Sequence, residues 1–140
     1  MVEYKHMNPR QRFSNLGNIT TPFLGRTRDE TQHKGVDFAN RNGTPIPAFS
    51  DGVITSVGTT NNGMGNVVTL KDKGGNTHQY GHLHSSLVKP GQVVKKGIPI
   101  AKMGDSGNSY SPNGGDSSHL DIRISDAYGR WKNPLKYISK

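Results

Sequence analysis

The chain of 140 residues has the size of a single domain, so we expect one hydrophobic core. It contains no cysteine, which excludes a disulfide framework and any thiolate metal site and leaves His, Asp and Glu as the strong metal ligands. Lysine and arginine outnumber the acidic residues by 18 to 10, and the formal charge of +8 favours an anionic partner, but the basic residues are too scattered to predict a nucleic-acid footprint.

Short β-rich segments separated by glycine-containing turns make up most of the chain. No segment has a sustained helical apolar repeat, the apolar length needed to cross a bilayer, or the apolar stretch of a secretory signal. We therefore predict a mainly β single domain built on an antiparallel β-sheet with hairpins, with long loops lining a groove and little helix. Strands are predicted at residues 35–39, 45–48, 52–59, 66–71, 77–83, 92–94, 98–103 and 120–125.

Two segments lack a regular pattern: the first thirty or so residues, and residues 106–118, which are rich in Ser, Gly, Asn and Pro. Long loops of this kind often shape a neighbouring site. We expect residues 1–18 to be an N-terminal arm or linker remnant and residues 19–140 to form the functional domain.

The first candidate motif is the segment His33-Lys34-Gly35-Val36-Asp37. On a straight strand the α-carbons of His33 and Asp37 would lie about 13 Å apart, which is too far for one ion. A bend at Gly35 would let the imidazole and the carboxylate converge at the roughly 2.0 to 2.2 Å distances that zinc requires. Alone, this spacing more often represents a turn histidine and a surface aspartate.

Two later segments, residues 80–84 and 118–121, each carry a polar pair two residues apart. Such pairs lie on one side of a strand, so His82 with His84, and His119 with Asp121, can each face one cleft. We expect Tyr80, on the same predicted strand, to contribute packing rather than chemistry. Together with the first motif, these pairs predict a zinc ion bound by nitrogen and oxygen and flanked by proton-transferring histidines, as in a metal-dependent hydrolase.

At this level of detail the chain resembles the lysostaphin-type zinc endopeptidases of bacterial cell walls. The resemblance implies that His33 and Asp37 are zinc ligands and that His82 and His119 are non-ligand histidines beside the metal. It runs from about residue 19 to residue 124 and follows the family's order. The matching segments are residues 19–26, 33–39, 43–48, 51–54, 80–83, 88–91, 94–97, 104–107 and 119–120.

One position departs from the family pattern. The family usually ends its last motif with His-Leu-His, whereas this chain has His119-Leu120-Asp121. The third zinc ligand would then be Asp121, whose carboxylate binds zinc at nearly the distance of an imidazole but on a shorter side chain. His84 is the rival third ligand, and its offset of about 7 Å from His82 along a strand makes Asp121 the better candidate.

The resemblance implies a zinc-dependent endopeptidase that cuts peptide bonds of peptidoglycan at the cell wall or outside the cell, with His82 and His119 as the catalytic pair. The anionic wall suits the positive charge, and we expect a monomer without a nucleic-acid or membrane partner. The alternative is a degenerate relative that binds the wall or serves as a scaffold, because Asp121 could have cost the domain its activity.

Overall fold

The computed structural model describes residues 3–27, 30–107 and 116–138. These residues form eleven β-strands, one α-helix and two short 3₁₀ helices, which confirms the prediction of a mainly β fold. The strands are β1 (Asn18–Thr21), β2 (Val36–Ala39), β3 (Pro45–Pro47), β4 (Gly52–Thr59), β5 (Asn66–Lys71), β6 (Thr77–Gly81), β7 (Leu83–Ser86), β8 (Val93–Val94), β9 (Pro99–Met103), β10 (His119–Ser125) and β11 (Trp131–Lys132). The helices are α1 (Pro9–Ser14) and the 3₁₀ turns Tyr4–His6 and Pro134–Tyr137.

The strands form two antiparallel sheets. The larger has eight strands in the order β1-β2-β10-β6-β5-β4-β8, with β11 pairing at the end of β10, and the smaller has the order β3-β9-β7. Strand β10, from near the end of the described chain, lies between β2 and β6. This insertion brings the three sequence motifs onto neighbouring strands.

Alternation along β10 separates the core from the site. Leu120, Ile122 and Ile124 are fully buried and point into the hydrophobic core, whereas His119 and Asp121 occupy the alternate positions. The core also receives side chains from both sheets and from α1. Its largest fully buried members are Tyr80, Phe49, Leu16, Ile46, Ile54, Leu70, Leu83, Ile100, Met103, Leu120, Ile122 and Ile124.

The strand predicted at residues 77–83 is two strands in the structure. Strand β6 ends at Gly81, His82 adopts the left-handed conformation with φ 61°, and β7 begins at Leu83 in the other sheet. Left-handed backbone is uncommon for a residue with a Cβ, and nothing in the local sequence predicts it here. As a result, Tyr80 and His82 do not share a face as a continuous strand would require.

The prediction that the first thirty residues lack regular structure was wrong for three short elements, the 3₁₀ turn Tyr4–His6, α1 and β1. Asn8 caps α1 through a capping box with Gln11, with Pro9 at the first helical position, and β1 pairs with β2. Phe13 and Leu16 are buried in the core. Within the other segment predicted to be irregular, residues 108–115 lie outside the described part of the chain.

Candidate metal centre

The bend predicted in the first motif is present. The backbone bends at Lys34 and Gly35, and the Nε2 atom of His33 lies 2.8 Å from Oδ1 of Asp37. The His33 main chain is fixed from both sides, since its N–H donates to the Gly25 carbonyl at 2.6 Å and its carbonyl accepts from the Leu24 N–H at 2.7 Å. The imidazole is therefore held beside the start of β2.

Glycine is needed at position 35 because there is no room for a side chain there, and not because the backbone has an unusual φ. A Cβ atom at this position would lie 2.2 Å from the Ile122 carbonyl oxygen and 3.0 Å from Oδ1 of Asp121. The bend of the first motif thus packs directly against β10, and only glycine allows the two segments to approach so closely.

Asp121 is brought to the first motif by strand pairing. Its α-carbon is opposite Asp37 on β2 and Gly81 on β6, and its Oδ1 lies 3.7 Å from Nε2 of His33. His33, Asp37 and Asp121 each offer a ligand atom, and these three atoms lie within 4.8 Å of one another. His33 and Asp121 are buried, and Asp37 is half-buried.

This cluster suits a zinc ion. Ligand atoms about 2.0 Å from a tetrahedral zinc ion stand about 3.3 Å apart, and the two separations measured from Nε2 of His33, 2.8 and 3.7 Å, bracket that value. The donor set of one imidazole and two carboxylates is chemically appropriate for a divalent metal. The third separation, between the ligand oxygens of Asp37 and Asp121, is within 4.8 Å.

The charge around His33 is already arranged for a cation. Burial by itself lowers the pKa of His33, but the hydrogen bond to Asp37 and the negative charge of Asp121 outweigh this effect and raise the pKa to about 9. Glu30 adds to this, since its Oε1 accepts from Nδ1 of His33 at 2.9 Å. His33 must release the proton on Nε2 before that nitrogen can bind a metal ion.

His82 and His119 form a second pair beside the cluster. Their ring centroids lie 4.2 Å apart with planes inclined by 37°. Nδ1 of His82 donates to the Ser106 carbonyl at 2.7 Å, and Nδ1 of His119 donates to the Ser117 carbonyl at 3.0 Å. Because a carbonyl only accepts, these bonds place the proton of each neutral ring on Nδ1 and leave Nε2 as the basic nitrogen.

The electrostatic environment favours a neutral His82. Burial and, after it, the neighbouring His119 lower the pKa of His82. A neutral imidazole that presents an unprotonated Nε2 at neutral pH is the form required of a general base. The strained backbone at His82, whose N–H donates to the Met64 carbonyl, holds the ring in this position.

The three residues of the metal cluster and the two histidines beside it line one cavity of about 460 Å³. Its other walls carry polar and aromatic side chains from several loops and strands. Among the described residues, the lining consists of Thr27, Glu30, His33, Lys34, Asp37, Asn62, Gly63, Met64, Gln79, His82, His119, Asp121, Arg123 and Trp131. The arrangement can hold a divalent ion and move protons beside it within one open groove.

The remaining histidines have other environments. His84 is exposed, its Nδ1 lies 3.1 Å from the Ser85 hydroxyl, and it is absent from the metal-capable cluster found among the described residues. His78 is fully buried in β6, where Nε2 donates to Asp72 at 2.9 Å. His6 is exposed.

Tyr80 contributes packing, as predicted. It is fully buried, and its hydroxyl oxygen accepts a hydrogen bond from the Phe49 N–H at 2.9 Å. It is not among the described residues that line the cavity.

Sequence reasoning missed Glu30 and Arg123, which contact the predicted ligands. Arg123 donates to both carboxylate oxygens of Asp121 and also to Glu30. The signal for Arg123 was available, because it lies two residues after Asp121 and therefore on the same side of β10. Glu30 lies outside the helices and strands, and the sequence around it carries no comparable signal.

Comparison with known proteins supplies the family. The sequence pattern of peptidase family M23 matches residues 31–134. The chain belongs to peptidase family M23. The match begins two residues before His33 and includes every residue of the predicted metal cluster and of the histidine pair.

The names of individual relatives indicate different functions. The chain is 42% identical over 120 residues to an uncharacterized metalloprotease of Haemophilus influenzae, covering 84% of this chain and 23% of that protein. It is 34% identical over 109 residues to the murein hydrolase activator NlpD of Escherichia coli, covering 78% of this chain and 27% of that protein. The chain thus spans about a quarter of the length of these curated relatives.

A solved structure supports the same fold. The catalytic domain of the antimicrobial peptidase lysostaphin from Staphylococcus simulans aligns with a TM-score of 0.72 and 29% sequence identity, covering 89% of this chain and 91% of that domain. The predicted resemblance to lysostaphin-type proteins is therefore confirmed. No helix in the described ranges combines the length and apolar character needed to cross a bilayer.

Proposed function

We propose that this M23 domain, residues 19–140, is a zinc-dependent endopeptidase that hydrolyses peptide bonds of bacterial peptidoglycan. The observation that carries the proposal is the convergence of three ligand atoms within 4.8 Å, on His33, Asp37 and Asp121, beside a pair of histidines. When bound, zinc would act as a Lewis acid that polarises the scissile carbonyl and lowers the pKa of a water molecule, so that a hydroxide nucleophile is available near neutral pH.

The chain's own groups would supply the rest of the chemistry. His33, Asp37 and Asp121 hold the ion. Nε2 of His82 or His119 accepts the proton of the attacking water, and the partner ring, in its form protonated on Nε2, donates that proton to the oxyanion or the leaving amine. The short distance between the rings lets one histidine influence the protonation of the other.

The substrate assignment is supported by the relatives and by charge. The lysostaphin structure is that of an antimicrobial peptidase, and NlpD is named for its effect on murein hydrolysis. The net charge of +8 favours association with an anionic wall. We place the domain at the cell wall or outside the cell, where it would meet peptidoglycan peptides as a monomer.

A second candidate is an activator or wall-binding module without its own catalysis. It is favoured by the similarity to NlpD, an activator by name, and by the aspartate at position 121. The ligand cluster and the histidine pair favour the enzyme, because a scaffold has no chemical use for one imidazole and two carboxylates that converge within 4.8 Å beside two further imidazoles.

A turnover assay separates the two candidates. The zinc-loaded protein is incubated with purified peptidoglycan, and the release of new amino groups is measured for the parent and for His119→Ala and His82→Ala. We expect the parent to cleave and each variant to lose about 10²-fold or more in rate, the size of a general acid–base contribution. His84→Ala, an exposed histidine outside the cavity, is the matched control and should retain parental activity.

The opposite result is equally informative. If the parent binds zinc in the expected 1:1 ratio but releases no amino groups from peptidoglycan, the domain is not an endopeptidase, and the activator reading replaces it. Equal loss of activity in His84→Ala would show that the histidine pair has no special role.

A further inference from the structure

Both carboxylate oxygens of Asp121 are engaged by one guanidinium. The Nε atom of Arg123 donates to Oδ1 at 3.0 Å, and Nη2 donates to Oδ2 at 2.8 Å. This is the two-point geometry in which arginine binds a carboxylate most strongly. Asp121 is buried, and the Arg123 side chain is only 18% exposed, so the pair is well shielded from solvent.

The same guanidinium links Asp121 to another predicted ligand. Nη2 of Arg123 also donates to Oε1 of Glu30 at 2.9 Å, and this oxygen accepts from Nδ1 of His33. The Glu30 side chain is 19% exposed. Arg123 and Glu30 therefore form a hydrogen-bonded bridge from the carboxylate of Asp121 to Nδ1 of His33.

The guanidinium of Arg123 offsets negative charge that Asp121 adds to the site. Asp37 and Asp121 are directly opposite on neighbouring strands, an arrangement in which like charges repel. Glu30 adds a third carboxylate, and Arg123 contacts the carboxylates of Asp121 and Glu30. An imidazole at position 121 would offer no pair of acceptor oxygens to the guanidinium, so the arginine suits an aspartate and not a histidine.

We propose that Arg123 is a positioning residue matched to Asp121. It turns the carboxylate so that Oδ1 faces Nε2 of His33 while Oδ2 is occupied by Nη2, and it thereby makes a short carboxylate an effective single-oxygen third ligand. This inference rests on the proposed zinc site. In this interpretation the aspartate that replaces the family's final histidine is one member of the Asp121–Arg123 pair, and the replacement is not a loss of function.

In the presence of Arg123, a histidine at position 121 should bind zinc less well than the aspartate does. Restoring the family's usual ligand by Asp121→His should weaken zinc binding, because Arg123 keeps its place without its two-point partner. Removing the cation at the same time, in Asp121→His/Arg123→Gln, should recover part of the lost affinity. The two positions are in contact, so their effects should not be additive.

The test measures zinc dissociation constants by competition with a chromophoric chelator at fixed pH. We expect Arg123→Gln to weaken zinc binding by about 10- to 100-fold, the range seen when a side chain that orients a metal ligand is removed. Charge alone predicts the reverse, because removing a cation beside the site favours a metal ion. The sign of the change therefore isolates the positioning role.

Further variants exclude a merely structural effect. Arg123→Lys should recover only part of the affinity, because an ammonium cannot form the two-point contact. Arg130→Gln is the matched control, since Arg130 pairs with Asp126 on the surface and should bind zinc like the parent. The visible spectrum of the cobalt-substituted protein provides a spectroscopic signature, and its intensity should fall in Arg123→Gln as Asp121 turns to bind through both oxygens.

The outcomes distinguish this inference from the proposed function. Zinc binding by the parent together with unchanged or tighter binding in Arg123→Gln, or with an additive double variant, overturns the positioning role and leaves the zinc site in place. A parent that binds no zinc overturns both. Weaker binding in Arg123→Gln with recovery in the double variant relative to Asp121→His supports the matched pair.

Discussion

Replacing Gly35 by alanine is the most direct test of how the metal centre is assembled. The new Cβ would lie 2.2 Å from the Ile122 carbonyl oxygen and 2.7 Å from Cγ of Arg123. The first of these contacts is with the backbone of β10, a central strand, so a side-chain rotation cannot relieve it. The bend that carries His33 must move away from β10.

The size of the effect follows from this geometry. Overpacking a buried position typically costs about 1–3 kcal/mol, and a clash with strand backbone lies at the upper end, about 3 kcal/mol. For a domain of this size that loss lowers the melting temperature by about 10 °C. Because the added carbon is also 3.0 Å from Oδ1 of Asp121, zinc binding should weaken in parallel.

The assay is thermal unfolding of the metal-free protein, followed by a zinc competition titration. Gly58→Ala is the matched control, because a Cβ at that exposed position in β4 meets nothing within 4 Å. Its melting temperature should stay within about 2 °C of the parent. A Gly35→Ala protein that melts with the parent and binds zinc equally well would refute the close packing of the first motif against β10.

Three further predictions concern residues away from the cavity. Leu16→Ala should cost about 2–5 kcal/mol in the free energy of unfolding measured with urea, whereas a detached N-terminal arm predicts no change. Tyr80→Phe should cost about 1–3 kcal/mol by leaving the buried Phe49 N–H without its acceptor, and an altered zinc dissociation constant would contradict its purely structural role. Burial lowers the pKa of His78 against the opposing effect of Asp72, so in the unfolded chain this histidine binds a proton more readily than in the folded protein. Its contribution to the free energy of unfolding should therefore fall on acidification from about pH 7 to about pH 5, whereas His33, whose pKa is raised to about 9, contributes with the opposite sign. His78→Gln, which keeps a donor for Asp72, should reduce this dependence in urea titrations, and an unchanged dependence would contradict the assignment.

The regular part of the fold was predictable because it is local. Strands β4 and β5 begin and end at the predicted residues, since β-branched residues and glycine-containing turns determine both. Helix α1 was missed although Asn8, Pro9 and Gln11 form a standard helix start, because six residues are too few to show an apolar period. The left-handed conformation of His82 was missed because local sequence rarely predicts a positive φ at a residue other than glycine.

The sequence predicted the three candidate ligands of the site but not the residues that contact and orient them. His33, Asp37 and Asp121 follow from motif spacing and from family resemblance, and the structure brings them into one cluster, although their role as ligands stays a prediction. Arg123 was overlooked although it lies two residues after Asp121 on β10. Glu30 was not predictable, because its contact with Arg123 spans 93 residues of sequence. Contacts of this range arise from sheet topology, which short motifs do not encode.

The most direct test of the account is an anomalous difference map, collected at the zinc edge, from crystals of the zinc-loaded protein. The account predicts one strong peak about 2.0 to 2.2 Å from Nε2 of His33 and from a carboxylate oxygen each of Asp37 and Asp121, with His82 and His119 alongside and unligated. A peak coordinated by His84 instead of Asp121, or no peak in the cavity when zinc is present in excess, would contradict it.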